Sequence, residues 1–204
     1  MNWKFVGIVL LLVFGTLYPA YAGVIINVVE SDGDVVATAT GSIDVSSLTL
    51  VSSTSGGGHL IWGDYPGGSA FITGHSNNVV GSVYAITGPS PSNFITSTGY
   101  TQASYGSGLV IGVLGGNRLY IANGAYVSGD PITSSATWEN KTFEDLGLQV
   151  GSYIFSWGSG ETADTLTINV LMSDSPAPVP EPTTTALFSV GGLGLLLIRR
   201  LRRA

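Results

Sequence analysis

Two short stretches decide the fold class: Tyr153-Ile154-Phe155-Ser156-Trp157 and Leu166-Thr167-Ile168-Asn169-Val170. In the first, Tyr153, Phe155 and Trp157 fall on one face of an extended chain. In the second, three apolar residues alternate with Thr167 and Asn169. A period of two is the mark of a strand buried on one side. The glycine-bearing connection between them, residues 158–164, predicts that they pair as a hairpin. Just before, Thr142-Phe143-Glu144-Asp145-Leu146-Gly147 predicts one helical turn. Thr142 is the N-cap, Glu144 and Asp145 occupy the first turn, and Gly147 ends it.

Working outward, the rest of residues 23–172 reads the same way. Short runs of valine, isoleucine, threonine and aromatics are separated by glycine, serine, asparagine and proline. Strands are predicted at 24–30, 35–45, 48–51, 59–62, 70–73, 79–87, 93–97, 109–114, 118–122, 134–138, 152–157 and 165–171. No segment has helical periodicity beyond a single turn, so a parallel α/β fold lacks its crossover helices. The expectation is a single all-β, β-sandwich-like domain. Gly56-Gly57-Gly58, Gly67-Gly68 and Gly115-Gly116 are irregularly spaced turns, which argues against a repeat solenoid.

Composition narrows the class further. The 204 residues include 29 glycines and no cysteine, with 10% charged and 44% hydrophobic. Without cysteine there is no disulfide scaffold, thiolate metal site or cysteine nucleophile. Five of the seven basic residues lie at the ends: Lys4, Arg199, Arg200, Arg202 and Arg203. Residues 23–180 hold two basic residues, Arg118 and Lys141, against twelve acidic ones, a net of 2 − 12 = −10. Such a surface does not attract nucleic acid or an anionic membrane.

The ends are addresses. Residues 5–17 are a thirteen-residue apolar run after a single lysine, followed by Tyr18, Pro19 and Ala20-Tyr21-Ala22. Small residues at Ala20 and Ala22 predict a signal peptide, residues 1–22, handled by the Sec translocon and cleaved by signal peptidase after Ala22. At the other end, residues 173–182 hold four prolines in ten, an extended linker. An uncharged stretch, 183–198, follows, about 24 Å long as a helix at ~1.5 Å per residue. Arg199, Arg200, Arg202 and Arg203 close the chain. They predict a membrane segment with its tail, 199–204, in the cytoplasm. The expected organisation is signal peptide 1–22, an extracytoplasmic β domain 23–173, a Pro-rich linker 174–182, a transmembrane segment 183–198 and a basic tail.

Val179-Pro180-Glu181-Pro182, then a short apolar helix, then an arginine cluster, resembles the PEP-CTERM sorting signal of exported bacterial proteins. The same tail is sometimes labelled an ice-binding-protein carboxyl-terminal domain. The resemblance covers about the last 25 residues and implies an exosortase as partner, with delivery to the surface or matrix of a Gram-negative bacterium. The arginines make the expected intermediate inner-membrane-anchored, with the domain outside and the tail inside; the resemblance does not imply a catalytic activity. The hairpin with its preceding turn, Trp157-Gly158 and Asp164-Thr165-Leu166-Thr167 resembles the last third of the domain in PEP-CTERM surface proteins of unknown activity.

Residues that could carry chemistry are sparse. His59 and His75 are the only histidines, too few and too far apart for zinc, and read as loop or strand-end residues. No Gly-x-Ser-x-Gly nucleophile elbow followed by Asp and His appears, and Ser104-Tyr105-Gly106-Ser107-Gly108 has no histidine after it. Glu30, Asp32 and Asp34 could offer oxygen to calcium. The cluster is too short for an EF-hand loop, and an Asp-Gly-Asp hairpin turn is the plainer reading. Glu144 with Asp145, and Glu161 with Asp164, read as helix capping and turn solvation. No catalytic residue, cofactor or metal is therefore expected. Trp62-Gly63-Asp64-Tyr65 with Tyr100, Tyr105, Tyr120 and Tyr126 offers either core aromatics or a platform for sugar rings. Thr38-Ala39-Thr40, Thr96-Ser97-Thr98 and Thr165-Leu166-Thr167 occur without the period an ice-binding surface needs. The reading is an exported, non-enzymatic surface or matrix protein associated with exopolysaccharide. A carbohydrate-binding or adhesion module stands as the alternative, and a secreted hydrolase or ice-binding protein beyond it.

Overall fold

A computed structural model describes residues 23–56, 58–75, 79–122 and 126–172. The expected signal peptide, linker, membrane segment and arginine tail lie outside the described residues. No helix among the described residues is long and apolar enough to cross a membrane.

The described residues form an all-β domain of two sheets. The first contains β1 (Val24–Ser31), β2 (Asp34–Gly41), β8 (Tyr105–Gly108), β11 (Ile132–Trp138), β12 (Gly151–Trp157) and β13 (Asp164–Leu171), in the order β12-β13-β1-β2-β11-β8. The second contains β3 (Thr49–Gly56), β4 (Leu60–Trp62), β5 (Ala70–Thr73), β6 (Val79–Ala85), β7 (Tyr100–Gln102), β9 (Ile111–Leu114) and β10 (Arg118–Ala122), in the order β3-β6-β10-β9-β5-β4-β7. Every pairing is antiparallel except β1 with β13, where Val24, Ile26 and Val28 lie beside Leu166, Ile168 and Val170. The first and last described strands thus run in parallel, side by side.

Alternation builds the core. Val24, Ile26 and Val28 on β1, Val35, Ala37 and Ala39 on β2, and Phe155 and Trp157 on β12 are buried. They share one apolar cluster with Ile61, Phe71, Ile111, Val113, Leu119 and Ile121 of the second sheet. Phe71 of the second sheet meets Trp138 of the first, ring centroids 6.0 Å apart. The outer face of the first sheet is mixed, carrying Ile154 at 56% exposed among polar residues, and Ser152 donates to Asn169, which donates through its amide to Asn27. The second sheet differs: its outer face is also apolar, with Leu60, Ala70, Ile72, Val83, Leu114, Tyr120 and Ala122 in a separate buried cluster.

The predicted hairpin forms between β12 and β13, with Tyr153 opposite Ile168 and Trp157 opposite Asp164. The turn Asp32-Gly33 joins β1 to β2, both residues at positive φ (55° and 89°), which the twist of a two-residue hairpin favours. α1 (Phe143–Leu146) starts at Thr142, whose hydroxyl accepts from the Asp145 N–H while the Asp145 carboxylate accepts from the Thr142 N–H. It ends at Gly147, φ 66°.

Three expectations need correction. Residues 93–97 are not a strand: Ser90 caps a 3-10 turn at Pro91–Asn93, and Phe94 and Ile95 plug the core from a loop. The second strand stops at Gly41, and Ile43 turns inward instead of continuing to Val45. β7 and β8 were not expected: β7 is only three residues long and β8 is Tyr105-Gly106-Ser107-Gly108, so neither shows an apolar alternation.

Candidate functional site: an aromatic groove on the outer face of the second sheet

The outer apolar face is not closed over by a flat layer. It holds a groove of about 300 Å³ lined by Thr54, Ser55, Gly56, Leu60, Trp62, Tyr65, Pro66, Ala70, Ile72, Tyr100, Leu114 and Tyr120. Leu60, Ala70, Ile72, Leu114 and Tyr120 are buried, while Trp62 and Tyr65 are partly buried and Tyr100 is 50% exposed.

Each aromatic is placed for a local reason. Trp62 on β4 and Tyr100 on β7 are direct cross-strand partners, so their rings leave the same face of the sheet. Their centroids are 5.9 Å apart at 80°. Tyr65 also meets Trp62 edge-to-face, 5.3 Å away at 83°. Edge-to-face contacts of this kind add about 0.5–1.5 kcal/mol beyond area burial. The loop carrying Tyr65 is pinned to residues 97–99. Gly63 N–H donates to the Gly99 carbonyl (2.8 Å), and Gly99 N–H donates to the Asp64 carboxylate (2.9 Å). A Cβ on Gly63 would lie 1.6 Å from the Ser97 carbonyl oxygen, so only glycine permits this approach.

Tyr120 lies low in the groove. Its hydroxyl donates to the Val79 carbonyl (2.8 Å), and its ring crosses Gly81 and Gly56. Burial pushes the phenol pKa above its ordinary value, so Tyr120 is a neutral hydrogen-bonding group there.

The structure sorts the sequence candidates. Trp62, Tyr65, Tyr100 and Tyr120 converge, and Asp64 braces their loop. Tyr105 sits on β8 of the first sheet, where a hydrogen bond with Glu139 raises its pKa first and foremost. Tyr126 is a brace: its hydroxyl accepts from the Ile43 N–H and lies 3.0 and 2.9 Å from the carbonyl oxygens of Ile43 and Asp130. His59 is 1% exposed, its Nδ1 3.1 Å from the Gly74 carbonyl. His75 is partly buried in the loop after β5. Ser104 accepts from the Glu139 N–H, and residues 105–108 are the strand β8, not an elbow.

Asp32 sits at the hairpin turn, and Asp34 accepts from the Asn140 N–H (2.9 Å). The Glu30 carboxylate accepts from the Phe143 N–H at the start of α1. No group of three histidine, aspartate or glutamate side chains able to hold a metal occurs among the described residues.

One cluster escaped the sequence reading. Asp164, expected on a solvated turn, is 4% exposed and accepts from the N–H groups of Asp44 (2.6 Å) and Thr165 (2.7 Å). Asp44, 6% exposed, accepts from the Ser46 N–H and the Ser128 hydroxyl, both at 2.8 Å. The Trp157 indole N–H donates to the Asp44 carbonyl. The cluster ties the chain after β2 to β12, β13 and the Ser128 turn.

Among known proteins, the chain is similar in one segment. Residues 178–203 match the family model of the PEP-CTERM protein-sorting motif, with Pro180, Glu181, Pro182 and the four arginines inside the match. No curated protein and no solved structure matches the chain. The chain thus carries a PEP-CTERM sorting motif, which indicates an exported protein that an exosortase processes and that reaches the cell surface.

Proposed function

We propose that this protein is a non-enzymatic component of the cell surface or extracellular matrix that holds polysaccharide in the groove of its second sheet. Export and sorting bring the domain to the cell surface, and the groove offers what a pyranose ring needs. A sugar ring presents C–H groups to aromatic walls and hydroxyls to Thr54, Ser55 and the tyrosines. The volume is at the lower end for ligand sites.

The observation that carries the reading is that Trp62, in edge-to-face contact with both Tyr65 and Tyr100, lines the groove with them. Of the three aromatics, Tyr100 is 50% exposed while Trp62 and Tyr65 are partly buried, so the cluster stays open to a ligand at the groove.

Before processing, the apolar stretch 183–198 would hold the chain in the inner membrane, with the domain outside and Arg199, Arg200, Arg202 and Arg203 inside. The signal peptide ending at Ala22 would start that route.

Affinity electrophoresis of the processed, secreted protein through gels containing exopolysaccharide from the producing cells tests the binding claim. The wild type should be retarded and Trp62→Ala should run free. Equal retardation of the two, or retardation of neither, contradicts the reading.

A further inference from the structure

We infer that the groove selects neutral hexose chains and rejects uronic-acid polymers. This rests on the groove being a sugar site and goes on to name the class of sugar.

Among the described residues, the lining contains no aspartate, glutamate, lysine or arginine. Its polar side-chain groups are hydroxyls and the Trp62 indole N–H, and its floor is leucine, isoleucine, alanine and a neutral phenol. A carboxylate brought onto that floor would lose water and find no cation, which costs far more than seating an uncharged ring.

The surroundings act in the same direction. Residues 23–172 hold eleven acidic residues against Arg118 and Lys141, a net of 2 − 11 = −9. That field repels a polyanion on approach, over a range of about 8–10 Å at ordinary ionic strength.

Neither cation offsets this. Lys141 lies by the Asp32-Gly33 turn, in a cleft with Glu30 and Asp32. Arg118 starts β10 beside Leu114, with its guanidinium stem near Gly116 of the preceding turn, and does not line the groove. Arg118 on β10 is separated from Trp62 on β4 by two strands, β9 and β5, three strand spacings of ~4.8 Å each.

Binding of the processed protein to a neutral β-glucan and a galactomannan, and to polygalacturonate and alginate, tests the inference by titration at low and high salt. A neutral polymer should bind with an affinity that changes little from about 0.05 to 0.5 M salt. The uronic polymers should bind at least about tenfold more weakly. Trp62→Ala should abolish binding, and Arg118→Gln should leave it unchanged. Tighter binding to a uronic polymer, lost in Arg118→Gln or in high salt, overturns the inference while the groove remains a sugar site. Binding to none of the four, with no retardation in the native exopolysaccharide, overturns the sugar site itself.

Discussion

The ring of Tyr120 lies directly over Gly81, so closely that a Cβ on Gly81 would stand 2.3 Å from the ring. Gly81 therefore works as a clearing in the outer face of the second sheet. It lets a large phenol lie low, with its hydroxyl on the Val79 carbonyl, and leaves the space above for the groove.

Gly81→Ala should accordingly lift or tilt Tyr120. Overpacking of this kind costs about 1–3 kcal/mol, and each kcal/mol lowers the melting midpoint of a domain this size by roughly 2–4 °C. Thermal unfolding measures it. Adding Tyr120→Ala should make the pair less costly than the sum of the single changes, because the clash is gone. Strict additivity, or an unchanged midpoint in Gly81→Ala, would speak against the packing described.

The buried pair Asp44 and Asp164 should titrate apart. Burial pushes Asp164 above the ordinary aspartate value of 3.8; the N–H bonds from Asp44 and Thr165 oppose this, and the neighbouring Asp44 charge adds to it. Hydrogen bonds from Ser46 and then Ser128 hold Asp44 below 3.8. The signs are opposite. The stability linked to Asp44 is present above pH 3.8 and lost as pH falls through its lower value. That linked to Asp164 is present at low pH and lost as pH rises from 3.8 through its raised value. Carboxyl-carbon NMR titration should find Asp164 above and Asp44 below 3.8. The reverse order would contradict the hydrogen bonding assigned here.

At α1, two substitutions should separate a cap from a steric fit. Thr142→Ala removes the capping hydroxyl and should cost about 1 kcal/mol. Gly147→Ala places a Cβ 2.2 Å from the Ser97 nitrogen at φ 66°, and should cost more than about 1 kcal/mol. Chemical denaturation reads both, and a milder effect at Gly147 than at Thr142 would count against the contact with Ser97.

The tail makes a prediction about mass. Material recovered from the cell surface or medium should lack residues 1–22 and the segment bearing Arg199, Arg200, Arg202 and Arg203. Intact-mass spectrometry decides it, since a secreted form still carrying the arginines would show that the motif is not processed.

What could be read from the sequence was local. The β12–β13 hairpin announced itself because Phe155, Trp157, Leu166 and Ile168 alternate within a few residues of their turn. The Asp32-Gly33 turn and the Thr142 cap are likewise decided by neighbours in the chain. Phe94 and Ile95 misled because an apolar pair plugging the core from a loop looks like a strand fragment. The groove was only half visible. Its aromatics were recognised as candidates, but Trp62 and Tyr100 are brought together by pairing across 38 positions, through a strand only three residues long. Nothing in composition separates Tyr100, which joins the groove, from Tyr105, which belongs to the other sheet. Asp44 and Asp164, 120 positions apart, have no local signal at all.

The account stands or falls on whether sugar touches Trp62. Residues 23–172 contain three tryptophans, and Trp138 and Trp157 are 1% and 7% exposed in the core, remote in role from the groove. Their three indole N–H signals can be followed by NMR while a neutral oligosaccharide is titrated into the processed protein. The account predicts that the Trp62 signal moves in a saturable way while those of Trp138 and Trp157 stay in place. A Trp62 signal that never moves, under conditions where the protein binds the sugar, would contradict it.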